Sequence, residues 1–291
     1  MTTTERWMCI NELSGSLTLL TGDFVKSTLP RPLITLLTDF GTRDAYVASM
    51  KGVILSLNPE AVLVDLSHDI PPQDVWAGAL ILAAAAPYFP PGTIHLAVVD
   101  PGVGGPRRAL AAHSRGHFWV GPDNGLFHLI FRQASPLTII SLENPVYFRP
   151  QISATFHGRD IFAPVAAHLS LGVDLNRLGP GITDPVLLDW PEPSFGPEAI
   201  RGEIVYVDHF GNLVSNVSYS EFAAWRGNQA IRLQMGPVTI QGLARTYSDG
   251  APGEFLALVG SHGFLEIACA MDNAARRLNA GVGLTVTIRQ G

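Results

Sequence analysis

The chain reads as an α/β protein, with a mainly parallel sheet in its N-terminal part and a smaller β-rich domain behind it. Two patterns predict this. In the first half, short apolar runs alternate with stretches of helical periodicity, the pattern of parallel crossovers with helices on both faces of a sheet. Beyond Gly179 short β-rich runs follow one another at close spacing, as in a small barrel or sandwich. The segment between, rich in proline and acid, reads as a linker. The expected organisation is a poorly structured extension over 1–31, an α/β domain over 32–184, a linker over 185–198 and a C-terminal domain over 199–291.

Each element has a local cause. Leu33–Thr38 is apolar and stops at Asp39-Phe40-Gly41, so it predicts a strand. Asp44 is placed to cap a helix over Ala45–Leu57, in which Val47, Met50, Ile54 and Leu57 recur at helical spacing and Asn58-Pro59 ends the run. Ala61–Leu66 is the next strand, and Ser67–Pro72 a rigid turn. The alanine-rich stretch from about Asp74 to Ala86 predicts a buried helix packed closely on the sheet, broken by Pro87, Pro90 and Pro91. A third strand follows and ends at Asp100. Arg108–His113 and His117–Val120 form a hairpin, Asp123-Asn124-Gly125 begins a helix, Leu137–Ile140 is a strand, and Asp160–Leu171 is helical with Gly172 closing it. In the second domain the predicted strands are Glu203–Val207, Asn212–Val217, Ala230–Met235, Phe255–Val259, Phe264–Ala268 and Leu284–Ile288.

Composition excludes several function classes. The chain has 291 residues, 47% of them apolar and 15% charged, which is a globular and not a disordered composition. The net charge of −6 and the lack of a basic block disfavour a nucleic-acid binder. The longest apolar stretch, Val75–Tyr88, is too short to span a bilayer. The two cysteines, Cys9 and Cys269, form no framework, so a reducing cytoplasm is the expected compartment.

Four places carry chemistry. Asp100-Pro101-Gly102-Val103-Gly104-Gly105-Pro106-Arg107 puts a carboxylate at the end of a buried strand, turns through glycines and presents an arginine. Ligands of open α/β sheets bind outside such carboxyl ends. It is neither a Walker loop nor a dinucleotide fingerprint, and it reads as a site or as a tight turn closed by an Asp–Arg salt bridge. His157 lies just before a predicted helix, whose dipole disfavours the imidazolium, so the ring suits a base or hydrogen-bond acceptor, or else a cap. Asp39 either accepts ribose hydroxyls or serves the turn that follows it. His68, Asp69, Asp100, His157 and Asp160 lack a metal-site spacing, so no metal is expected. Asn212, in Asp208-His209-Phe210-Gly211-Asn212, offers the donor and acceptor that an adenine edge needs, or sits in a glycine turn.

The runs Thr38–Gly41, Asp65–Pro72, Val99–Gly104, Gly121–Gly125, Thr155–Asp160 and Asp208–Asn212, in this order, resemble the S-adenosyl-L-methionine hydroxide adenosyltransferases, or SAM hydrolases, relatives of the fluorinase and chlorinase. The resemblance implies an α/β sandwich-like N-terminal domain, a β-barrel-like C-terminal domain, and a homotrimer with each active site between two subunits. It implies a water-activating set of Asp100, Arg107 and His157. It places Asp39 on the ribose, Asn212 on adenine with Tyr247 as a ring partner, Asp208 and Ser261 on the methionine amino group, and Phe156 and Met271 among the remaining substrate contacts. No cofactor is implied, S-adenosylmethionine being the substrate.

Departures from the halogenating relatives favour water over halide. Those enzymes carry a tyrosine and a threonine in the loop that here runs Asp100–Arg107, and the fluorinase has a serine at Gly158 and an extra loop within Arg108–Trp119. His262 stands where the fluorinase has arginine. The expected reaction is in-line attack of an activated water on ribose C5′, giving adenosine and L-methionine. A halide-dependent adenosyltransferase and a non-catalytic adenosine or S-adenosylmethionine sensor are the alternatives.

Overall fold

β1 (Leu33–Thr38) pairs in parallel with β2 (Val62–Ser67) on one side and β3 (Ile94–Val98) on the other. The computed structural model describes residues 31–132 and 134–291, so the predicted extension lies outside the described residues except for Arg31. Strand order is β2-β1-β3-β5-β4-β6. The β4 (Ala109–Ser114) and β5 (His117–Pro122) hairpin is part of this sheet: β5 runs parallel to β3, and β4 pairs antiparallel with both β5 and β6 (Leu137–Ser141).

Period-2 alternation feeds two cores. Ile34, Leu36, Ile94, Leu96 and Val98 face one layer, while Leu37, Ala97 and Val99 face the other. On the first face lie α1 (Tyr46–Leu57), through Met50 and Ile54, and α4 (Ala163–Ser170). On the second lie α2 (Val75–Ala85) and α3 (His128–Phe131). Asp74 caps α2 by accepting the Ala77 N–H at 2.9 Å.

Several local expectations are corrected. Asp44 does not cap α1: Ala45 holds the N-cap position without a side-chain bond. The reason is upstream, where the Gly41 N–H is drawn to the His68 carbonyl (2.7 Å) and the chain bends through residues 42–45 before the helix begins. Asp123 does not start a helix, because its carboxylate is occupied by Arg108 Nε and the Val186 N–H (each 2.8 Å); α3 begins only at His128. The helix placed at Asp160 begins earlier, as a wide π-type turn over Gly158–Phe162 that runs into α4. β2 is apolar yet half exposed, since it is an edge strand with a single neighbour.

The second sheet follows β11-β10-β14-β8-β9-β13-β12, with β7 (Ser194–Phe195) pairing beside β8 (Ala199–Val207). Its other members are β9 (Leu213–Ser218), β10 (Ile231–Met235), β11 (Val238–Gln241), β12 (Phe255–Val259), β13 (Phe264–Cys269) and β14 (Thr285–Gln290). All pairs are antiparallel, and the Ala244 N–H just past β11 donates to the Ala257 carbonyl on β12 (2.8 Å), which nearly closes a barrel. In β10, Ile231, Leu233 and Met235 point inward while Arg232 and Gln234 point out. Sequence reading missed the short β11 and two helices, α5 (Tyr219–Arg226) and α6 (Ala274–Leu278). Each helix is capped by a side chain, Ser218 and Asn273 respectively, which is a signal present in the sequence.

Apart from β7, the segment over 185–198 is irregular but packed. Trp190 is buried and stacks on Trp76 (centroids 5.2 Å), in a cluster with Leu80, Leu129, Val205 and Val214 that ties the barrel to α2 and α3. Asn216 Nδ2 donates to the Pro191 carbonyl (2.7 Å). Residues 32–291 accordingly form one compact unit.

Candidate active site

The crevice between the carboxyl ends of β1 and β3 is a switch point, because the chain leaves β1 toward β2 and leaves β3 toward the opposite side of the sheet. Asp39 follows β1 and Asp100 follows β3. Asp39 Oδ2 accepts the Gln73 N–H (2.8 Å), fastening the loop after β1 to the loop after β2. The loop from Asp100 turns tightly, with Val103 N–H to the Asp100 carbonyl (3.2 Å) and Gly105 N–H to the Gly102 carbonyl (3.0 Å). Gly104 has φ +75°, and a Cβ there would lie 2.1 Å from the Ala154 carbonyl oxygen. Only glycine lets this loop lie against the segment that leads to His157.

That approach assembles the predicted trio. Arg107 Nε donates to Asp100 Oδ1 (2.8 Å), and Nη2 donates to both Asp100 Oδ2 and His157 Nδ1, the latter at 2.8 Å. The side chains of Arg107 and Asp100 are 10% and 4% exposed, so the forked pair is largely dry. A guanidinium only donates, so Nδ1 of His157 is an acceptor and the neutral ring carries its proton on Nε2. Burial first, and Arg107 second, hold the imidazole below its usual range, against the weaker pull of Asp100 and Asp160. The helix dipole acts in the same direction. The structure also refines the base-or-acceptor reading: the acceptor nitrogen is already taken by Arg107, and the ring presents a donor.

Asp160, three residues on, is fully buried and braces the turn. It accepts from Arg149 Nη1 (3.0 Å), from the Ser153 N–H (2.9 Å) and from both Arg159 Nε and Nη2 (2.7 and 2.9 Å). Burial alone would raise its pKa, but these donors outweigh it and hold the carboxyl below the ordinary range. Phe156 meets Phe40 and Tyr46 in a trio of edge and tilted contacts, with centroids 5.3–5.9 Å apart, and Arg159 lies over its ring. With Ser153 and Thr155 these residues line a cleft of about 310 Å³. Sequence reasoning missed Phe40, Tyr46 and the bracing of Asp160, although the runs Asp39-Phe40-Gly41 and His157-Gly158-Arg159-Asp160 contained two of them.

The remaining predicted residues belong to the β-rich part of the chain. Asp208 Oδ1 accepts the N–H groups of Phe210 and Asn212 (2.9 and 2.8 Å), and its Oδ2 accepts Asn212 Nδ2 (2.8 Å). Asn212 is 5% exposed and its amide donor is thus engaged within the chain. The Tyr247 hydroxyl donates to Glu266 Oε1 (2.6 Å). Burial, then Glu266 and Asp208, hold that phenol above its usual range. Ser261 lies exposed in the turn between β12 and β13, and Met271 lies just past β13, 91% exposed with φ +58°. Among the described residues no hydrogen bond joins this group to Asp39, Asp100, Arg107, Phe156 or His157, so the predicted residues form two sets. No three His, Cys, Asp or Glu side chains among the described residues converge as metal ligands do. No helix among them is long and apolar enough to cross a membrane.

Comparison with known proteins covers both sets. Residues 34–179 match the model of the SAM hydroxide adenosyltransferase N-terminal domain, and residues 202–287 that of the C-terminal domain. The (R)-S-adenosyl-L-methionine hydrolase of Salinispora tropica is 40% identical, over 90% of this chain and 99% of that protein. The Thermus thermophilus protein of the same name is 39% identical, over 87% and 97%. A fluorinase from Actinoplanes sp. is more distant, at 29% over 88% and 97%. Among solved structures, an uncharacterized conserved protein from Thermotoga maritima superposes with a TM-score of 0.83 at 35% identity, covering 88% of this chain and all of that one. With its two layers, its switch-point crevice and both halves matched, the chain belongs to the SAM hydroxide adenosyltransferase family.

Proposed function

We propose that the protein hydrolyses S-adenosyl-L-methionine to adenosine and L-methionine. The observation that carries this is the Asp100–Arg107–His157 constellation at the β1/β3 crevice, a carboxylate and an imidazole joined through one guanidinium in a largely dry setting. Names borne by relatives at 39–40% identity support the same reaction.

The chemistry matches the charges. A water oxygen forms the bond to ribose C5′ while the C5′–S bond breaks in line. The electron pair goes to the sulfonium sulfur, which leaves as the neutral thioether of methionine. No leaving-group acid is needed. The water gives up one proton to Asp100, each of whose oxygens keeps a second lone pair beside the one Arg107 uses, and Asp100 then releases it to solvent. His157 supplies an N–H to the water oxygen, and Arg107 fixes both neighbours. Positioning removes several kcal/mol of barrier, on the order of what oriented reactants provide, and proton removal adds about 10²–10⁴-fold. The trio Phe40, Tyr46 and Phe156 offers ring edges and faces beside this site, suited to a cationic sulfur.

In this reading Asp39 holds the ribose hydroxyls. Asn212 and Tyr247 hold adenine, Asp208 and Ser261 hold the methionine amino group, and Phe156 and Met271 complete the contacts. Following the family resemblance, we assign each site to two subunits of a homotrimer, one supplying the crevice set and its neighbour the barrel set. We place the protein in the cytoplasm and assign it no cofactor or metal.

Incubation with S-adenosylmethionine, with adenosine followed by chromatography, tests the reaction. Adenosine forming at the same rate after chelator treatment is the expected result. Tight binding without product would make the protein a sensor, and 5′-chloro-5′-deoxyadenosine formed in chloride would make it a halogenase.

A further inference from the structure

Glu266 is 2% exposed, on β13, and none of the roles above uses it. Its carboxylate is held by two neutral donors, the Tyr247 hydroxyl on Oε1 (2.6 Å) and His262 Nε2 on Oε2 (2.9 Å). The tautomer of His262 follows from its other nitrogen. The Phe264 N–H donates to Nδ1 (3.2 Å), so Nδ1 is an acceptor and Nε2 carries the proton. The β12–β13 turn is shaped around this pair. A Cβ at Gly260 would lie 2.3 Å from both Glu266 Oε2 and His262 Nε2, so the turn closes over them only with glycine there.

Tyr247 is the unusual partner. It is 47% exposed, yet its hydroxyl is pinned to a buried carboxylate. Its backbone is fixed as well, since Asp249 Oδ2 accepts the N–H groups of Arg245 and Thr246 (2.8 and 3.2 Å). An exposed ring held at both ends has little rotamer freedom left to lose when a flat ligand stacks on it. Its hydroxyl is occupied, so it offers the ligand a face and no donor. The same carboxylate holds His262, next to Ser261 in the turn.

We infer that Glu266 is a positioning residue that fixes Tyr247 as a stacking platform for the adenine ring and sets the Ser261–His262 turn beside it. This rests on the proposed adenosyl substrate and adds the group that preorganises its binding. Glu266 touches no reacting atom, so its effect belongs to affinity and not to the bond-making step.

Glu266→Gln is the sharpest test. Glutamine offers one acceptor oxygen and one donor amide; with the oxygen on His262 the Tyr247 hydroxyl can only accept from the amide, and the charge-assisted bond that pins the ring is lost. The expected result is a KM for S-adenosylmethionine raised about tenfold or more with kcat within about threefold. Calorimetric titration with adenosine should show a matching loss of affinity, and it reads the contact without turnover. Tyr247→Phe removes the same bond from the exposed side and serves if Glu266→Gln does not fold. Combined, the two changes should weaken adenosine binding by much less than the product of their separate effects. A folded Glu266→Gln protein with wild-type KM and adenosine affinity would overturn the inference, as would a fall in kcat at constant KM. A wild-type protein that binds adenosine but forms none from S-adenosylmethionine would overturn the hydrolase reading instead, leaving the effect of Glu266 on adenosine affinity to be read separately.

Discussion

The two sets of residues are built on opposite electrostatic plans. At the β1/β3 crevice a permanent cation, Arg107, binds a carboxylate and an imidazole at once, so the charges cancel locally and three groups share one rigid geometry. In the barrel, Asp208 and Glu266 are held by neutral donors only: two backbone N–H groups, an amide, a phenol and a neutral imidazole. The Asp208 charge is solvated by dipoles and remains available to a cation, while that of the buried Glu266 fixes Tyr247 and His262. The first plan suits a group that must be placed and polarised. The second suits recognition of a positively charged molecule. An ammonium and a sulfonium on one substrate fit that division of labour.

The largest effect is expected at the crevice carboxylate. Asp100→Ala should lower kcat about 10²–10⁴-fold with little change in KM, measured as adenosine formed at saturating S-adenosylmethionine. An unchanged kcat would remove Asp100 from the reaction. Arg107→Lys keeps the charge but loses the fork that reaches both neighbours. A fall of about a hundredfold in kcat is expected from the misplacement, and near-wild-type activity would show that charge alone suffices. Mixing is a sharper probe of the separation. Asp100→Ala and Asp208→Asn proteins, each impaired, should recover several-fold activity when unfolded and refolded together, because some sites then combine an intact crevice with an intact barrel face. Failure to recover would place both sets of residues in one chain's site.

Acidity probes the crevice set directly. His157 is held below the usual imidazole range, so it stays neutral as pH falls past 6.5 and protonates only at lower pH. The acid limb of kcat should therefore lie below pH 6.5, and a limb above it would contradict the buried, Arg107-facing environment. Stability has its own acid window. Burial, then His117, hold His95 at a pKa of about 3. Between pH 6.5 and about 3 the unfolded chain takes up a proton that the folded one does not, so stability falls as pH falls, by a few kcal/mol in all. Denaturant midpoints across that range read this directly, and a His95→Gln variant should flatten the slope.

The parts of the site that are legible in the sequence are those made by neighbours along the chain. Asp39 and Asp100 could be placed at strand ends because apolar runs stop there and glycines follow. The motif order carried the resemblance. Gly104 and Gly260 stand in the sequence as turn residues, but what each must avoid, the Ala154 carbonyl and the His262–Glu266 pair, is visible only in the fold. Trp190 reads as part of a linker until Trp76 is found stacked on it.

By itself the sequence determined the alternation of strands and helices, the change to a β domain after Gly179, and the candidacy of Asp100, Arg107 and His157. Tertiary structure alone decided the strand order and the edge position of β2. It also decided which nitrogen of His157 faces Arg107 across a separation of 50 residues, and the burial of Glu266 beneath Tyr247. The physical reason is range. Periodicity and turn chemistry act over a few residues, whereas a tautomer, a buried carboxylate or a sheet neighbour is set by groups that meet only once the chain has folded.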